Sequence, residues 1–303
     1  MQYRKLGRTD MAASVLSLGT VEFGLPYGFY HPQESPVPEK REAIRIMISA
    51  FEKGVNLLDT APAYGNSERV VGEALKEWGS REVCVATKVP LGKGTKEIES
   101  SVQGSADRLQ REIIDIVQLH NPTYEDLRNG SEWEVLKDLK QKGMVRWIGA
   151  SVYGPEAAQE ALNHPALDLL QVSCNLLDQR MAAEVLRRAS CLGVGILVRS
   201  VLLKGVLSGR RQHLPKQLES LGEAADRAEK WGRKWGLELP AAAIRFCLGL
   251  DGVSSILLGV RTQEELRAGL NAVSGELPRE AMQEAMQLDV VDSSLTDPRN
   301  WNS

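Results

Sequence analysis

The sequence has little of several features that mark particular classes of protein. Acidic and basic residues nearly balance, 40 against 37 in a chain of 303, so the formal net charge is only −3. Such a charge gives no electrostatic footprint for nucleic acid or for an anionic membrane. No apolar run reaches the ~18 residues of a membrane span, and the charged N-terminus lacks the apolar core of a secretory signal. We therefore expect a soluble, cytoplasmic protein without nucleic-acid or membrane partners.

Cysteine is scarce as well. The four cysteines, Cys84, Cys174, Cys191 and Cys247, lie far apart, and three of them sit in apolar runs. They form no C-x-x-C pair, and no histidine stands at metal-ligand spacing from them. The pattern predicts buried free thiols in a reducing compartment, and it predicts neither a disulfide framework nor a metal site.

The sequence does contain a regular alternation of short apolar runs with longer amphipathic stretches. Each short run is bounded by Gly, Pro, Asp or Asn, which is typical of buried parallel strands. The predicted strands are Ser14–Gly19, Val55–Thr60, Val83–Val89, Asp115–His120, Val145–Ser151, Leu167–Cys174, Gly195–Val201 and Ser255–Val260. The helices predicted from the amphipathic stretches are Glu39–Lys53, Gly65–Trp78, Glu97–Gln110, Glu132–Lys142, Pro155–Leu162, Gln179–Leu192 and Thr262–Val273.

Eight strands alternating with helices favour a closed (β/α)₈ TIM barrel over a doubly wound sheet, which usually has fewer strands. Two segments fall outside the repeat. Tyr3–Leu6 with the turn Gly7–Asp10 predicts a β-hairpin that plugs the N-terminal end of the barrel. The stretch Leu203–Arg245 is too long for one connection, so we expect it to hold a loop and an extra helix after strand seven. No linker is apparent, which predicts a single domain over residues 1–303.

Polar side chains concentrate where the predicted strands end. Strand two ends in Asp59 and is followed by Tyr64, strand three ends at Lys88, and strand four ends at His120. Each has an ordinary structural explanation: a turn residue, a surface aromatic, a lysine reaching solvent and a core histidine, respectively. Because the C-terminal ends of barrel strands meet at one mouth, the four together predict an active site.

The chemistry of these four side chains is coherent. A phenol is a weak acid at neutral pH, and a neighbouring Lys88 cation would favour its phenolate and lower the pKa of Tyr64. Asp59 would neutralise the lysine, and His120 could donate a hydrogen bond to a substrate carbonyl oxygen. This is an acid–base centre suited to carbonyl reduction, and it needs a hydride source but no metal.

Long stretches of the sequence, in order over nearly the whole chain, resemble the aldo/keto reductase superfamily. They read YRKLGRTDMAASVLSLGT, NLLDTAPAYGNSE, VATK, DIVQLHNP, GASVYGP, QVSCNLLDQR, RSVLLKGVLSG and SSILLGVRTQEEL. The resemblance implies a catalytic tetrad of Asp59, Tyr64, Lys88 and His120, with Tyr64 as general acid and base. It also implies a nicotinamide cofactor extended across the barrel mouth, which is consistent with the lack of a GxGxxG motif after the first strand.

The cofactor positions implied by the resemblance match less completely. Ser151 corresponds to the serine that binds the nicotinamide carboxamide, but Val152 replaces the asparagine that often follows. Gln171 matches the family glutamine, and Arg199 stands where an aromatic ring often stacks on the nicotinamide, a contact that a guanidinium can also make. The other candidates are Thr20, the pyrophosphate loop with Ser200, Leu202 and Gly205, and the last strand's loop with Gly259, Arg261, Thr262 and Glu265.

The last of these loops bears on the form of the cofactor. Arg261, Thr262 and the helix start behind them suit an adenosine 2′-phosphate. Glu265, in contrast, would repel that phosphate and accept a hydrogen bond from a free ribose hydroxyl. The resemblance favours NADP(H), with NAD(H) as the alternative.

The substrate is expected to be a small carbonyl compound or alcohol. Aromatic residues follow strand one, and this loop is expected either to line a pocket for a polyol or sugar-like compound or to pack on its own rings; they are Phe23, Tyr27, Phe29, Tyr30 and His31. Two other functions fit the same barrel. One is a non-catalytic nicotinamide-binding protein, and the other is a phosphosugar isomerase or aldolase that would use Lys88.

Overall fold

The computed structural model describes residues 1–30, 37–79, 82–290 and 292–301. The chain begins with an antiparallel hairpin of β1 (Tyr3–Lys5) and β2 (Ala12–Ser14). Eight parallel strands then close into a barrel, in which the last strand pairs with the first. They are β3 (Leu16–Gly19), β4 (Leu57–Asp59), β5 (Cys84–Val89), β6 (Ile114–His120), β7 (Val145–Val152), β8 (Leu169–Ser173), β9 (Gly195–Arg199) and β10 (Ser255–Gly259). The predicted (β/α)₈ barrel is confirmed.

The alternation of side chains along the strands gives the barrel two apolar faces. One set fills the interior, including Leu57, Ile116 and Leu197, and the other packs beneath the surrounding helices. The hairpin contributes Leu6, which is fully buried in the interior set. Gly7 follows at φ +56°, and a Cβ there would lie 2.1 Å from the Gly195 backbone nitrogen, so only glycine fits this close approach. The hairpin therefore plugs the barrel as predicted.

Helices surround the barrel and fill most of the connections. They are α1 (Lys40–Glu52), α2 (Ser67–Trp78), α3 (Thr95–Leu109), α4 (Tyr124–Asn129), α5 (Ser131–Gln141), α6 (Pro155–Ala161), α7 (Val185–Cys191), α8 (Glu219–Lys234), α9 (Leu239–Gly249), α10 (Gln263–Ala272), α11 (Arg279–Ala285) and α12 (Ser293–Thr296). The long segment after β9 contains 3₁₀ turns, then α8 and α9, which confirms the extra helix.

Predicted and observed bounds agree within two residues except at one helix, and the first barrel strand is shortened at its start. The helix predicted over Gln179–Leu192 begins only at Val185. Before it, the Asn175 side chain accepts hydrogen bonds from the backbone of Leu177 and Asp178 in a turn, and the Gln179 N–H that follows donates to Asp289 Oδ1 at 2.7 Å. The strand predicted from Ser14 begins at Leu16, because Ser14 pairs with Tyr3 in the hairpin.

The cysteines and the helices also bear on the expectations drawn from composition. Cys84, Cys174 and Cys247 are buried free thiols, whereas Cys191 is exposed. Among the helices of the described ranges, none combines the length and apolar character required to cross a membrane.

Candidate active site

An ion pair at the mouth of the barrel links the ends of β4 and β5. The Lys88 ammonium donates hydrogen bonds to Asp59 Oδ2 at 2.7 Å and to the Thr60 carbonyl oxygen at 2.8 Å. Lys88 is 0 % exposed and Asp59 only 4 %. A buried charge of this kind needs both a counter-charge and hydrogen bonds, and this ammonium has both.

Amide side chains hold the second oxygen of Asp59. Its Oδ1 accepts from Gln171 Nε2 at 2.7 Å and from Gln118 Nε2 at 3.1 Å. The Ser151 hydroxyl in turn donates to Gln171 Oε1 at 2.9 Å. The structure thus joins Ser151 and Gln171, predicted as cofactor residues, to the carboxylate of the predicted tetrad. Sequence reasoning missed Gln118, although a polar residue inside the apolar run IVQLH was a usable signal.

Tyr64 lies beside this network on the β4–α2 loop. The Lys88 nitrogen is 4.8 Å from the centroid of its ring. The ring also meets that of His120 edge to face, with centroids 5.9 Å apart. Gly24 packs so closely on the loop that a Cβ there would lie 1.8 Å from the Tyr64 carbonyl oxygen. The four side chains of the predicted tetrad are therefore brought together, and the neighbouring loop fixes the backbone of the tyrosine.

The electrostatics of the site are set by burial as well as by the ion pair. Burial raises the pKa of Tyr64, and the Lys88 cation lowers it by less, so the net shift is upward. The expectation of a lowered pKa for Tyr64 is wrong in net sign, because desolvation of the phenolate outweighs the attraction of the cation. Burial lowers the pKa of Lys88, but Asp59 and Tyr64 raise it by more, which keeps the ammonium charged. Burial, with a smaller contribution from Lys88, lowers the pKa of His120 to about 4, so its ring is neutral at pH 7.

A cavity of about 740 Å³ extends from Asp59 and Tyr64 across the mouth to helix α10. Nine predicted cofactor residues line it: Thr20, Gln171, Arg199, Ser200, Leu202, Gly205, Gly259, Arg261 and Glu265. Two others do not line it. Ser151 lies in the network beneath, and the Thr262 side chain caps α10 by accepting from the Glu265 backbone N–H at 3.1 Å.

One guanidinium joins two carboxylates at the far side of this cavity. Arg210, in the 3₁₀ turn after β9, forms ion pairs with Glu22 and with Glu265, the latter at 2.6 Å. The other Glu265 oxygen accepts the backbone N–H of Arg261 at 2.7 Å. Burial raises the pKa of Glu22 although Arg210 lowers it in part, and this side chain is 3 % exposed. Sequence reasoning missed Arg210 and Glu22, because no local pattern indicates a contact between residues 188 positions apart.

The aromatic segment after β3 divides between the core and the cavity. Phe23 is buried in the core, whereas Tyr27 and Tyr30 line the cavity. Phe29 stacks on Trp301 near the C-terminus, with ring centroids 5.6 Å apart. The segment thus lines the cavity with some of its rings and packs the others against the protein, so each of the two expectations holds in part. His31 lies outside the described residues.

Comparisons with known proteins agree with this geometry. The model of the aldo/keto reductase family matches residues 15–289. The chain is 29 % identical to the NADH-specific methylglyoxal reductase of Escherichia coli (strain K12), over 89 % of this chain and 92 % of that protein. It is similar in structure to aldo-keto reductase AKR11C1 from Bacillus halodurans in its holo form, with a TM-score of 0.80, 28 % identity, and 95 % and 96 % of the two chains covered. The glycerol dehydrogenase AKR11B4 from Gluconobacter oxydans gives a TM-score of 0.74 at 27 % identity, with 94 % of each chain covered. With the family model spanning the barrel from its first strand to beyond its last, the chain belongs to the aldo/keto reductase family and is an NAD(P)-dependent oxidoreductase.

Proposed function

We propose that this protein interconverts a small polar carbonyl compound and its alcohol by hydride transfer, with Tyr64 as the general acid and base. The observation that carries the proposal is the buried Asp59–Lys88 pair beside the Tyr64 ring, at one end of a cavity that runs across the barrel mouth. A bound nicotinamide supplies the hydride. The protein must then bind and orient both reactants and provide one proton.

The cavity suits an extended dinucleotide. Its lining carries polar and cationic groups at several points between Tyr64 and α10, including the Ser200–Gly205 loop, Arg210 and Arg261. Phosphate groups are stabilised by guanidinium groups and by backbone N–H groups at turns. We assign the backbone of the Ser200–Gly205 loop to the pyrophosphate, and Arg210, Arg261 and the start of α10 to the adenosine end.

Tyr64 delivers the proton during reduction. Its raised pKa keeps the hydroxyl protonated at neutral pH, so Oη carries a proton that can move to the substrate oxygen as negative charge develops there. The Lys88 ammonium then stabilises the phenolate that remains. Asp59 and Thr60 hold Lys88 in place, and neutral His120 can donate a hydrogen bond that orients the substrate oxygen.

The same contacts oppose an aldolase that would use Lys88 as a nucleophile. A Schiff-base lysine must lose its proton, which usually requires a lowered pKa. The pKa of Lys88 is instead raised, and its ammonium is bonded to Asp59 and Thr60.

We assign NADP(H) as the preferred cofactor. The sequence argument against NADP(H) was that Glu265 would repel a 2′-phosphate. In the structure this carboxylate is paired with Arg210, which it shares with Glu22, so its charge is partly neutralised. Because Arg210 and Arg261 both line this end of the cavity, cations are present where the phosphate would lie.

Two relatives support a small polar substrate. Methylglyoxal and glycerol, the compounds in their names, are both oxygenated three-carbon molecules. Tyr27 and Tyr30 give this cavity phenol groups of its own beside Tyr64. Short aldoses and hydroxy-carbonyl compounds are therefore the substrates to assay first.

The decisive experiment removes one hydroxyl. For Tyr64→Phe we expect turnover of glyceraldehyde or methylglyoxal to fall by at least ~10²-fold, the usual scale for loss of a general acid. NADPH affinity, measured by fluorescence titration, should change little because the ring remains. Tyr3→Phe is the matched control, since Tyr3 lies in the hairpin at the opposite end of the barrel. Near-normal turnover of the Tyr64 variant would refute the assignment.

A further inference from the structure

Among the described residues, Arg199 has no carboxylate at ion-pair distance, and it lines the same cavity as the proposed proton donor. Arg199 ends β9 and donates to the Val152 carbonyl oxygen at 3.0 Å and to Ser200 Oγ at 3.2 Å, both of which are neutral acceptors. Its guanidinium carbon lies 3.8 Å from the Tyr153 ring centroid, and that of Arg299 lies 4.0 Å from the same centroid. Two cations therefore approach one ring, which brings like charges close together.

Lys204 adds a further cation to this group. Its ammonium lies 5.1 Å from the Tyr27 ring centroid and 5.7 Å from that of Trp301. Burial lowers its pKa, and Asp297 raises it by less. Asp297, however, is paired with Arg299 at 2.6 Å. The carboxylate of Asp297 thus faces three cations, those of Arg199, Lys204 and Arg299. Within the described ranges neither Lys204 nor Arg199 has an acidic partner at ion-pair distance.

The backbone that carries Lys204 is strained. Ser200, Leu203 and Lys204 all have positive φ, at 59°, 45° and 53°, although none is a glycine. The segment after β3 packs on this turn, where the Phe29 N–H donates to the Lys204 carbonyl oxygen at 3.3 Å. Backbone strain of this kind persists at functional sites when surrounding contacts enforce it.

A buried hydroxyl lies next to Arg199 in the barrel. Ser173 pairs with Arg199 in the register of β8 and β9, two residues beyond the inward-facing Gln171, so it faces the same side. Its Oγ is buried and has no hydrogen-bond partner in the described part of the chain. A buried polar group without a hydrogen-bond partner among the described residues is unusual, and this one lies next to Arg199.

We propose that Arg199 and Lys204 form a subsite for an anionic substituent, a carboxylate or a phosphate, on the carbonyl substrate. The inference rests on the proposed function and narrows its substrate class. Both side chains line the cavity that Tyr64 lines, so the two cations and the proton donor face the same space. A bound anion would neutralise the surplus charge without displacing the Asp297–Arg299 pair.

The test compares matched charged and neutral substrates. One pair is 4-oxobutanoate and its methyl ester, and the other is glyceraldehyde 3-phosphate and glyceraldehyde, so the two arms separate carboxylate from phosphate. We expect the wild type to favour the charged member of at least one pair by tenfold or more in kcat/KM. Lys204→Gln and Arg199→Gln should each reduce that preference about tenfold, the scale for loss of a hydrogen bond to a charged group.

Two further variants control for effects on folding and for the effect of removing one positive charge elsewhere in the protein. Lys204→Arg should retain most of the preference, because it keeps the charge. Lys216→Gln removes a lysine from the same connection outside the cavity lining and should leave the preference unchanged. Succinate, or phosphate for the second pair, should inhibit competitively against substrate and not against NADPH.

The outcomes separate this inference from the proposed function. If neutral substrates are reduced and charged ones are no better, the reductase assignment stands and the anion subsite is refuted. Competition of the anion with NADPH would also refute it, since the cations would then serve the cofactor phosphates. If both Gln variants keep the preference for the charged substrate, other residues recognise the anionic group and the proposed subsite is refuted. If no member of either pair is reduced, the proposed function fails and the inference fails with it.

Discussion

Replacing Lys88 by methionine tests whether the buried ion pair holds the site together. The substitution removes the ammonium but keeps a side chain of similar length, and it leaves Asp59 buried with only Gln118 and Gln171 as donors. Breaking a buried pair from one side typically costs about 3–5 kcal/mol, because the remaining charge loses its partner. For a chain of this size, where about 1 kcal/mol lowers Tm by roughly 2–4 °C, we expect a fall on the order of 10 °C at pH 7.

The double variant Asp59→Asn/Lys88→Met separates the lost charge from the lost packing. With no uncompensated carboxylate, it should recover most of the stability while staying inactive. Lys137→Met is the matched control. Its pair with Glu134 is at the surface, so the change should stay within about 0.5 kcal/mol.

The measurements are thermal and urea unfolding of the four proteins at pH 7, followed by pH–rate profiles. Residual activity of Lys88→Met should fall by at least ~10²-fold, and its profile should move to higher pH because Tyr64 loses the neighbouring cation. Equal stability of the single and double variants at pH 7 would refute the ion-pair argument. An unchanged pH profile would show that Lys88 does not act through Tyr64.

Two further predictions concern the cofactor and pH. Glu265→Gln, which keeps an acceptor for the Arg261 N–H, should free Arg210 from one carboxylate and strengthen NADPH binding relative to NADH about tenfold, with Arg210→Gln doing the reverse. Dissociation constants for both cofactors check this, and equal changes for the two would contradict it. For His120, the folded pKa of about 4 lies below the ordinary 6.5, so the unfolded chain binds the proton first and stability falls as pH drops from 6.5 towards 4. The contribution is at most about 3 kcal/mol, and His120→Asn should flatten the Tm–pH curve in that window, whereas an unaltered slope would count against it.

Local patterns in the sequence were sufficient to predict most of the fold. Short apolar runs alternating with amphipathic stretches predicted all eight barrel strands within a few residues, because a strand buried on both faces leaves a continuous apolar signature. Errors arose where the chain leaves a strand through an irregular turn or pairs with a second sheet. The helix predicted from Gln179 begins only at Val185, and Ser14 pairs with Tyr3 in the hairpin.

For the candidate site too, local sequence patterns predicted some features and not others. Strand ends predicted that Asp59, Lys88 and His120 would meet at the barrel mouth, since parallel strands of a barrel share one C-terminal face. The sequence could not predict the net sign of the Tyr64 pKa shift, because desolvation depends on how completely neighbouring loops cover the phenol.

What the sequence by itself determined is therefore the barrel, the order of its elements and the side chains at its mouth, all of which follow from periodicity and strand ends. Only the tertiary structure decided how those charges are paired. Arg210 joins Glu22 and Glu265 across the cavity, and Arg199 and Lys204 line the same cavity without an acidic partner at ion-pair distance in the described chain. Such pairings depend on distances between loops far apart along the chain, and electrostatic energies change steeply with distance and burial.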